Sequence, residues 1–186
     1  SNSASTLNKP PALNSISNPS DICENSGQQS IGLTGIGTGA GNEIQTLAVT
    51  ASSSNTTLIP DANIFITYTS PDPTGTVYYT PANGQSGSSI ITVAVNDGAS
   101  NNNTVQQTFT VSITPSPTTA NAGTDVSICA SATSLAGNTP VNGTGEWSFV
   151  YTSNLAIAIT NTASPTSPIS NFNPGDSVRL AWTISN

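Results

Sequence analysis

One loop of this sequence collects oxygen atoms in a pattern that suits a metal ion. Residues 97–103 are Asp-Gly-Ala-Ser-Asn-Asn-Asn, so one carboxylate and three amides follow closely on one another. Ca²⁺ takes six to eight oxygen ligands, including carboxylates and amide carbonyls of a single loop. The spacing therefore predicts a calcium site with Asp97, Asn101 and Asn103 as ligands. A second interpretation stays open, because an Asp-Gly turn followed by a polar hairpin loop needs no ion.

The other titratable groups are few and scattered, which argues against catalysis. The nine acids are spread along the chain, histidine is absent, and the only basic residues are Lys9 and Arg179. General acid–base catalysis uses His most often and otherwise paired carboxylates, Lys or Cys, and a glycosidase needs two carboxyl groups at one cleft. We therefore predict no catalytic residues and a protein that is not an enzyme. Glu43 and Asp72 are the acids that could join the calcium loop if their own loops came close.

Aromatic side chains offer a different chemistry, the stacking of sugar rings. Trp147 and Trp182 lie in alternating apolar runs, and we expect both to be buried in a core. Tyr78 and Tyr79 are adjacent in sequence, and neighbouring residues of a strand point to opposite faces. One of these two rings should therefore face outward, where it could stack on a sugar.

The composition restricts the partners of the chain. Ser, Thr and Asn make up 77 of the 186 residues, and only 6% of the residues are charged, against about one quarter in an average soluble domain. The formal net charge is −7. Two cations cannot follow a phosphate backbone, so nucleic acid is excluded as a partner, and anionic membrane surfaces are disfavoured. No apolar stretch approaches the ~20 residues that span a bilayer, so we predict no membrane insertion.

Short alternating runs bounded by turn residues predict an all-β fold. The first half has six such runs and a seventh around Ile16–Cys23; the six are Ile31–Ile36, Leu47–Ala51, Ile64–Tyr68, Val77–Tyr79, Ile91–Val95 and Phe109–Ile113. The second half has five, which are Val126–Ile128, Ser134–Leu135, Trp147–Val150, Ala156–Ile159 and Val178–Ile184. No window shows the 3.6-residue period of a helix.

A polar segment and a proline-containing segment outside the strand runs predict two tandem β-sandwich domains. Residues 1–9 are polar and unpatterned and form a predicted tail or linker, and the Pro-Ser-Pro segment at 115–119 is a predicted semi-rigid linker. The first sandwich then covers residues 10–114 and the second covers 120–186. The second is short, so we expect either a minimal sandwich or one cut near its last strand. The two halves align poorly, and we expect two different sandwich types.

The two cysteines leave three interpretations open. Cys23 and Cys129 could each be a small buried apolar residue of its own domain. They could pair with each other, which is disfavoured if they occupy equivalent places in two tandem domains, since their Cα atoms would be too far apart. Either could also pair with a cysteine outside this sequence.

Edge strands must be protected against pairing with other chains, and this chain has too few lysines to provide that protection. Proteins commonly prevent edge-to-edge pairing with charged side chains, proline or bulges. With two cations in the whole chain, we expect Pro, Gly, Ser and Asn to interrupt the edges, and neighbouring modules or glycans to cover what remains.

Several stretches resemble repeats of very large surface adhesins of the Bacteroidota. In the first half they include Asp-Ile-Cys-Glu-Asn-Ser-Gly at 21–27 and Thr-Val-Ala-Val-Asn-Asp-Gly at 92–98. In the second half, Asn-Ala-Gly-Thr-Asp-Val-Ser-Ile-Cys at 121–129 and Leu-Ala-Trp-Thr-Ile-Ser-Asn at 180–186 resemble a companion repeat. Together the resembling stretches cover nearly all of residues 10–186. Such repeats occur in gliding-motility adhesins of the SprB type and in other cargo of the type IX secretion system.

The resemblance implies extracellular, cell-surface modules of immunoglobulin-like or cadherin-like type. Their expected partners are neighbouring repeats of the same polypeptide, and a surface polysaccharide or other extracellular ligand. A different expectation is a carbohydrate-binding or spacer module of a secreted polysaccharide-degrading enzyme. The stretch around Asp97 is also similar to a calcium-ligating segment of cadherins, although their usual neighbouring acids are absent. Asp-Ser-Val at 176–178 resembles an O-glycosylation acceptor of Bacteroidota, with Ser177 as the modified residue.

Overall fold

The chain is built from β-strands, as its alternating apolar pattern predicts. The computed structural model describes residues 8–41 and 43–186, and within them the only helical element is a single 3-10 turn at Asp61–Asn63. The chain divides into two compact units. Unit 1 ends at Pro115 and unit 2 comprises Ser116–Asn186. The all-β fold class is thereby confirmed.

Within its described residues, unit 1 contains seven strands in two sheets. The strands are β1 Ile22–Cys23, β2 Gln29–Thr34, β3 Ala48–Ser53, β4 Ile64–Thr67, β5 Thr74–Tyr79, β6 Gly87–Asn96 and β7 Thr104–Thr114. One sheet has the order β1-β7-β6-β3 and the other has the order β2-β5-β4. All pairs are antiparallel except β1 with β7, which is parallel.

This strand order is that of an immunoglobulin-like sandwich. In such sandwiches the second, fifth and fourth strands form part of one sheet, and the third, sixth and seventh form the other. The sheets β2-β5-β4 and β3-β6-β7 of unit 1 reproduce both sets. Their inner faces share one core, because buried residues of both sheets belong to a single cluster. The cysteine pair typical of antibody domains is absent, since neither β2 nor β6 contains cysteine.

The core of unit 1 follows from period-2 alternation along the strands. Successive side chains of a strand point to opposite faces, and in β6 the residues Ile91, Val93 and Val95 are fully buried while their neighbours are more exposed. In β7 the same alternation buries Phe109, Val111 and Ile113. Burying one side chain of this kind stabilises the fold by about 1.5–3 kcal/mol.

The residues before β1 also belong to unit 1. Ala12 forms an antiparallel bridge with Gly37, and the backbone N–H of Asn14 donates to the carbonyl of Thr34 at 3.0 Å. The segment thus lies along the end of β2 before the chain crosses to pair with β7. Residues 8 and 9, which we expected in a tail at 1–9, make hydrogen bonds within unit 1. Residues 1–7 lie outside the described residues.

Unit 2 contains five strands in two sheets. The strands are β8 Ala132–Ser134, β9 Thr144–Thr152, β10 Ala158–Ile159, β11 Pro168–Ser170 and β12 Val178–Ser185. The sheets have the orders β10-β11-β8 and β12-β9, and all pairs are antiparallel. Position by position, this matches β4-β5-β2 and β6-β3 of unit 1. The expectation of two different sandwich types is therefore wrong: the five strands of unit 2 pair in the order of β2 to β6, a similarity that sequence alignment does not reveal.

Unit 2 has a small core. Among the described residues, its buried apolar side chains are Trp147, Ile157, Ile169 and Trp182, whereas unit 1 buries fourteen. The two tryptophan rings contact each other with centroids 5.1 Å apart and planes tilted by 40°, which confirms their expected burial. The predicted run Val126–Ile128 forms no strand in this structure.

The start of unit 2 shortens the predicted linker. Thr118 donates its backbone N–H to the carbonyl of Asn142 at 3.0 Å, and its hydroxyl oxygen accepts the backbone N–H of Val141 at 2.8 Å. The amide of Asn138 donates to the carbonyl of Thr119 at 3.0 Å. Residues 118 and 119 of the predicted linker 115–119 are therefore fixed to unit 2 by hydrogen bonds. Composition alone does not show that these polar groups have partners in the domain.

One edge does not follow the expected protection. β12 is eight residues long, contains no Pro, Gly or Asn, and pairs only with β9 within the described chain. By contrast, the terminal strands β1 and β10 have two residues each. Of the expected turn residues β12 contains only Ser185, at its end, and a register shift between Arg179 and Leu180 interrupts the strand instead. That neighbouring modules or glycans cover this edge stays a prediction.

Candidate functional site

The predicted calcium loop, residues 97–103, joins β6 to β7, and turn residues set its shape. Gly98 and Asn102 take left-handed backbone, with φ of 76° and 50°, which these two residue types adopt more readily than most. The carboxylate of Asp97 accepts the backbone N–H of Ala99 at 2.9 Å, as in an Asx turn. Asp97 is only 3% exposed. A carboxylate at this depth needs hydrogen-bond donors or a cation around it.

Three oxygen atoms of this loop face one nitrogen. Asn8 Nδ2 lies 3.0 Å from Asp97 Oδ2, 2.9 Å from the carbonyl oxygen of Asn101 and 3.2 Å from that of Asn102. An amide NH₂ has two hydrogens, so three acceptors share two donors. We call these three oxygens the oxygen cup. A cation at the position of Asn8 Nδ2 would meet the same three atoms.

The structure brings together two of the three predicted ligands. Asp97 contributes its carboxylate and Asn101 its main-chain carbonyl, not its side chain. Asn103 is directed elsewhere, because its carbonyl accepts the N–H of Asp97 at 3.1 Å and its Oδ1 accepts the hydroxyl of Thr104 at 3.0 Å. Asn102 takes the place that the sequence assigned to Asn103.

Two more oxygens belong to side chains that bond to Asn8, the partner of the oxygen cup, or to its neighbour Lys9. Gln45 donates its Nε2 to Asn8 Oδ1 at 2.8 Å, and Glu43 Oε1 accepts the N–H of Lys9 at 3.0 Å. The second oxygens, Gln45 Oε1 and Glu43 Oε2, are buried and have no hydrogen-bond partner within the described residues. Leaving a buried acceptor without a partner costs about 1–3 kcal/mol. Asp72 makes no recorded contact with this group in the part of the chain that the structure describes.

This arrangement suits a hard cation with mostly neutral ligands. If the side chain of Asn8 turned to present Oδ1, the oxygen cup would gain a fourth oxygen, with the carboxylate of Glu43 nearby. Among the described residues, no three Asp, Glu, Cys or His side chains form a metal-binding group. Calcium at Asp97 therefore stays a prediction, in the weak class of about 10⁻⁴–10⁻³ M that extracellular modules show. Sequence reasoning missed Asn8 and Gln45, because amides far away in sequence carry no local signal.

Ser177 is exposed in the segment that leads into β12. The residue before it, Asp176, accepts several hydrogen bonds with its carboxylate. Asp176 Oδ2 accepts Nδ2 of Asn154 and the N–H of Asn173, both at 2.7 Å. The bond from Asn154 and then that from Asn173 hold the pKa of Asp176 below its ordinary value, with a smaller contribution from Ser153. Asp176 thus fixes the turn that presents Ser177, while the modification of Ser177 stays a prediction.

The aromatic residues of unit 1 separate as expected. Tyr79 is buried in the core, where desolvation raises its pKa. Tyr78 faces the other way and stacks on Phe65, with ring centroids 4.7 Å apart and planes at 11°. These two residues are cross-strand partners on β4 and β5, and Phe65 is 50% exposed. Because each ring covers one face of the other, only one face of each is available to a sugar.

Both cysteines are free thiols on the surface. Cys23 is the last residue of β1, and Cys129 lies between β7 and β8 in a segment without strand pairing. Both are exposed, so the interpretation that each is buried in its own domain is wrong, and no bond joins them. Cys23 is the exposed residue of the two in β1, and Cys129 lies in a run, residues 119–132, in which every residue is exposed.

Comparisons with known proteins find similarity in structure only. No protein-family model and no curated protein matches this chain. Among solved structures, the N-terminal Ig1-2 module of the Drosophila receptor protein tyrosine phosphatase DLAR matches with 13% identity and a TM-score of 0.38, over 95% of this chain and 91% of that one. Murine CEACAM1b matches with 12% identity and a TM-score of 0.41, over 92% of each chain.

The Yersinia pseudotuberculosis adhesin InvE matches with 14% identity and a TM-score of 0.35, over 94% of this chain and 51% of that one. At such TM-scores these similarities carry no argument about function, and the fold is assigned from strand order. Among the described residues, no helix is long and apolar enough to cross a membrane.

Proposed function

We propose that this chain is a pair of structural modules of an extracellular bacterial adhesin filament. The observation that carries the proposal is the parallel pairing of β1 with β7, the first and last strands of unit 1. Because parallel strands run the same way, the chain runs into β1 from one end of this pair and leaves β7 at the other end. A module of this kind extends a linear array instead of folding it back.

The same pair determines how unit 1 responds to tension. The N–H of Glu24 donates to the carbonyl of Thr114 at 2.9 Å, and the hydroxyl of Thr114 donates to the carbonyl of Ile22 at 3.2 Å. A pull on the two ends of a parallel pair loads its hydrogen bonds together, in shear, and not one after another. Mechanical resistance is thus the activity that this geometry supports.

The finer identity is part of the proposal and rests on the sequence resemblance. A surface of amides and hydroxyls with few titratable groups suits a filament outside the cell. The resemblance to SprB-type repeats favours a cell-surface adhesin exported by the type IX system, with a role in gliding motility. Its expected neighbours are further repeats of the same polypeptide.

Single-molecule force spectroscopy tests this mechanical role. With the chain held at its ends in a polyprotein, unit 1 should unfold in one step with a length gain on the order of 30 nm, from about 3.6 Å per released residue. Glu24→Pro removes the N–H that bonds to Thr114 and should lower the unfolding force. Glu24→Ala keeps that N–H and serves as the matched control. An equal force for both variants, or no resolvable force peak, would contradict the proposal.

A carbohydrate-binding module is the second candidate, and the exposed pair Phe65 and Tyr78 favours it. Affinity electrophoresis in gels containing extracellular polysaccharides tests this function. Retardation that Phe65→Ala and Tyr78→Ala both abolish would support it. Retardation that survives both changes would assign binding to another surface, and unretarded migration in every gel would leave the structural module alone.

A further inference from the structure

An asparagine–glycine step lies on the surface of unit 1, in the turn between β5 and β6. Asn83 and Gly84 are both exposed. Asparagine is a thermolabile residue, and it reacts most readily before glycine, because glycine has no Cβ to hinder the approach of its backbone nitrogen to the asparagine side chain. Among the described residues, the side chain of Asn83 makes no hydrogen bond that would hold it away from Gly84. The step therefore has the features of a reactive site.

The reaction open to this step is closure of a succinimide ring. The backbone nitrogen of Gly84 loses its proton and bonds to Cγ of Asn83, while the bond from Cγ to Nδ2 breaks and ammonia leaves. Water then opens the ring at either carbonyl, which yields aspartate or isoaspartate at position 83. The attacking nitrogen is an amide anion, so a contact that keeps the proton on Gly84 slows the reaction.

A side chain from a different turn holds that proton. The backbone N–H of Gly84 donates to Asn25 Oδ1 at 2.9 Å. Asn25 lies in the turn that follows β1, and its backbone is left-handed, with φ of 64°. An amide oxygen is too weak a base to remove the proton, so this hydrogen bond must open before the nitrogen can react. A bond of ordinary net strength slows the reaction by about threefold to tenfold.

The charge of the neighbouring residue acts in the same direction. A Cβ built on Gly84 would lie 3.8 Å from Oε1 of Glu24, so this carboxylate is close to the peptide that must ionise. A negative charge at such a distance disfavours the formation of a second one. The backbone N–H of Glu24 donates to the carbonyl of Thr114 at 2.9 Å, which fixes this residue to the end of β7. The turn after β1 thus supplies both a hydrogen-bond acceptor and a repelling charge.

The second step of this kind in unit 1 carries the same contact. Asp97 precedes Gly98, and an aspartate before glycine isomerises through the same ring. The backbone N–H of Gly98 donates to Asn96 Oδ1 at 2.7 Å. In the described part of unit 1, each glycine that follows Asn or Asp therefore has its N–H bound to the side-chain oxygen of an asparagine.

We propose that Asn83 is a spontaneous deamidation site whose rate is controlled by Asn25. The reaction is slow while the turn after β1 is in place, and it becomes fast when that turn opens. Deamidation adds a negative charge near Glu24, and the isoaspartate product also lengthens the main chain of the β5–β6 turn. Both changes weaken the contact between this turn and the end of β1. The inference is independent of the mechanical role proposed above.

Peptide mapping of the full chain tests the inference. The chain is incubated in mildly alkaline buffer and digested with pepsin in acid, where ring closure is slow, and mass spectrometry follows position 83 over time. Asn25→Gly removes the acceptor and fits the left-handed backbone without strain, so it should accelerate the loss of Asn83 by about threefold to tenfold. Asn25→Asp is the matched control, because it keeps an acceptor oxygen and should keep the slow rate.

Two references make the result decisive. A synthetic peptide of residues 79–88 gives the rate without the fold, and Asn142 before Gly143 in unit 2 should react equally in the three chains. Hydrogen exchange over β6 and β7 shows whether unit 1 stays folded in each variant. Equal rates at position 83 in the parent and a folded Asn25→Gly chain would overturn the proposal, as would equal acceleration by Asn25→Asp. Where Asn25→Gly unfolds unit 1, the parent still decides, since a rate equal to that of the peptide would exclude protection.

Discussion

Replacing Trp182 by Phe should destabilise unit 2 more than the same change at Trp147, although the two rings pack against each other. Trp182 Nε1 donates to the carbonyl of Asn138 at 3.1 Å, and among the described residues this carbonyl accepts no second hydrogen bond. Trp147 Nε1 donates to the carbonyl of Pro165 at 3.2 Å, which also accepts the N–H of Gly137 at 2.9 Å. Only the first change leaves a carbonyl without a partner.

The expected magnitudes follow from these contacts. Exchanging indole for phenyl removes some 30 Å² of buried surface in either variant, worth about 0.8 kcal/mol. An acceptor left without a partner costs about 1–3 kcal/mol, whereas loss of one of two bonds costs about 0.5–1 kcal/mol. Trp182→Phe should therefore lower the unfolding free energy by about 2–4 kcal/mol and Trp147→Phe by about 1–2 kcal/mol. A unit of roughly 70 residues has only about 4–10 kcal/mol to lose.

Tryptophan fluorescence during urea unfolding measures unit 2 selectively. Both tryptophans of the chain lie in unit 2, and each variant keeps one as its own probe. Linear extrapolation gives the free energy of each. Equal losses within about 0.5 kcal/mol, or a larger loss for Trp147→Phe, would refute the assignment of the cost to the carbonyl of Asn138.

A glycine beside the Trp182 ring supplies an internal check. A Cβ at Gly145 would overlap Cζ2 and Cη2 of Trp182, so Gly145→Ala alone should be destabilising by about 1–3 kcal/mol. In the Trp182→Phe background the smaller ring leaves room for this methyl group. The double mutant should therefore show a favourable coupling energy of at least about 0.5 kcal/mol. Strict additivity would mean that the ring does not lie against Gly145.

Three further outcomes are expected. Millimolar CaCl₂ should raise the calorimetric melting temperature of unit 1 above its value in EDTA, because calcium at ten times its Kd adds about 1.4 kcal/mol to the free energy of unfolding. Asp97→Ala should abolish this shift and Asn103→Ala should keep it. An unchanged melting temperature of the parent would mean that residues 97–103 form an ordinary turn. Because the folded-state pKa of Asp176 is lowered, its carboxylate stabilises unit 2 fully at a pH above the ordinary pKa of 3.8, and this stabilisation is lost as the pH falls through the folded-state pKa. Asp176→Asn should therefore lower the urea midpoint at neutral pH and make that midpoint depend less on pH in the acid range. Midpoints of parent and variant that fall in parallel with pH would exclude this role. Residues 8–114 expressed alone should unfold cooperatively and at higher temperature than residues 10–114, which lack Asn8; a disordered product would refute the proposed boundary.

The sequence alone predicted most of the strands and much of the core, although it missed β11 at Pro168–Ser170. Alternation fixes which side of a strand is apolar, and burial follows wherever that side meets another apolar surface. Ile91, Val93 and Val95 are buried as that rule requires, and Tyr78 and Tyr79 separate to opposite faces. The abundance of Ser, Thr, Asn and Gly excluded long helices for a local reason, because these residues favour turns and caps over helix interiors.

Only the tertiary structure determined which strands pair and which distant residues meet. Alternation specifies a face but no partner, so the shared strand order of the two units could not be predicted. The run Val126–Ile128 has a strand pattern and forms no strand, because a strand needs a neighbour for its backbone groups. Asn8 contacts Asp97 across 89 positions, and no local pattern encodes such a contact. Side-chain preferences act between neighbours in sequence, whereas the oxygen cup depends on neighbours in space.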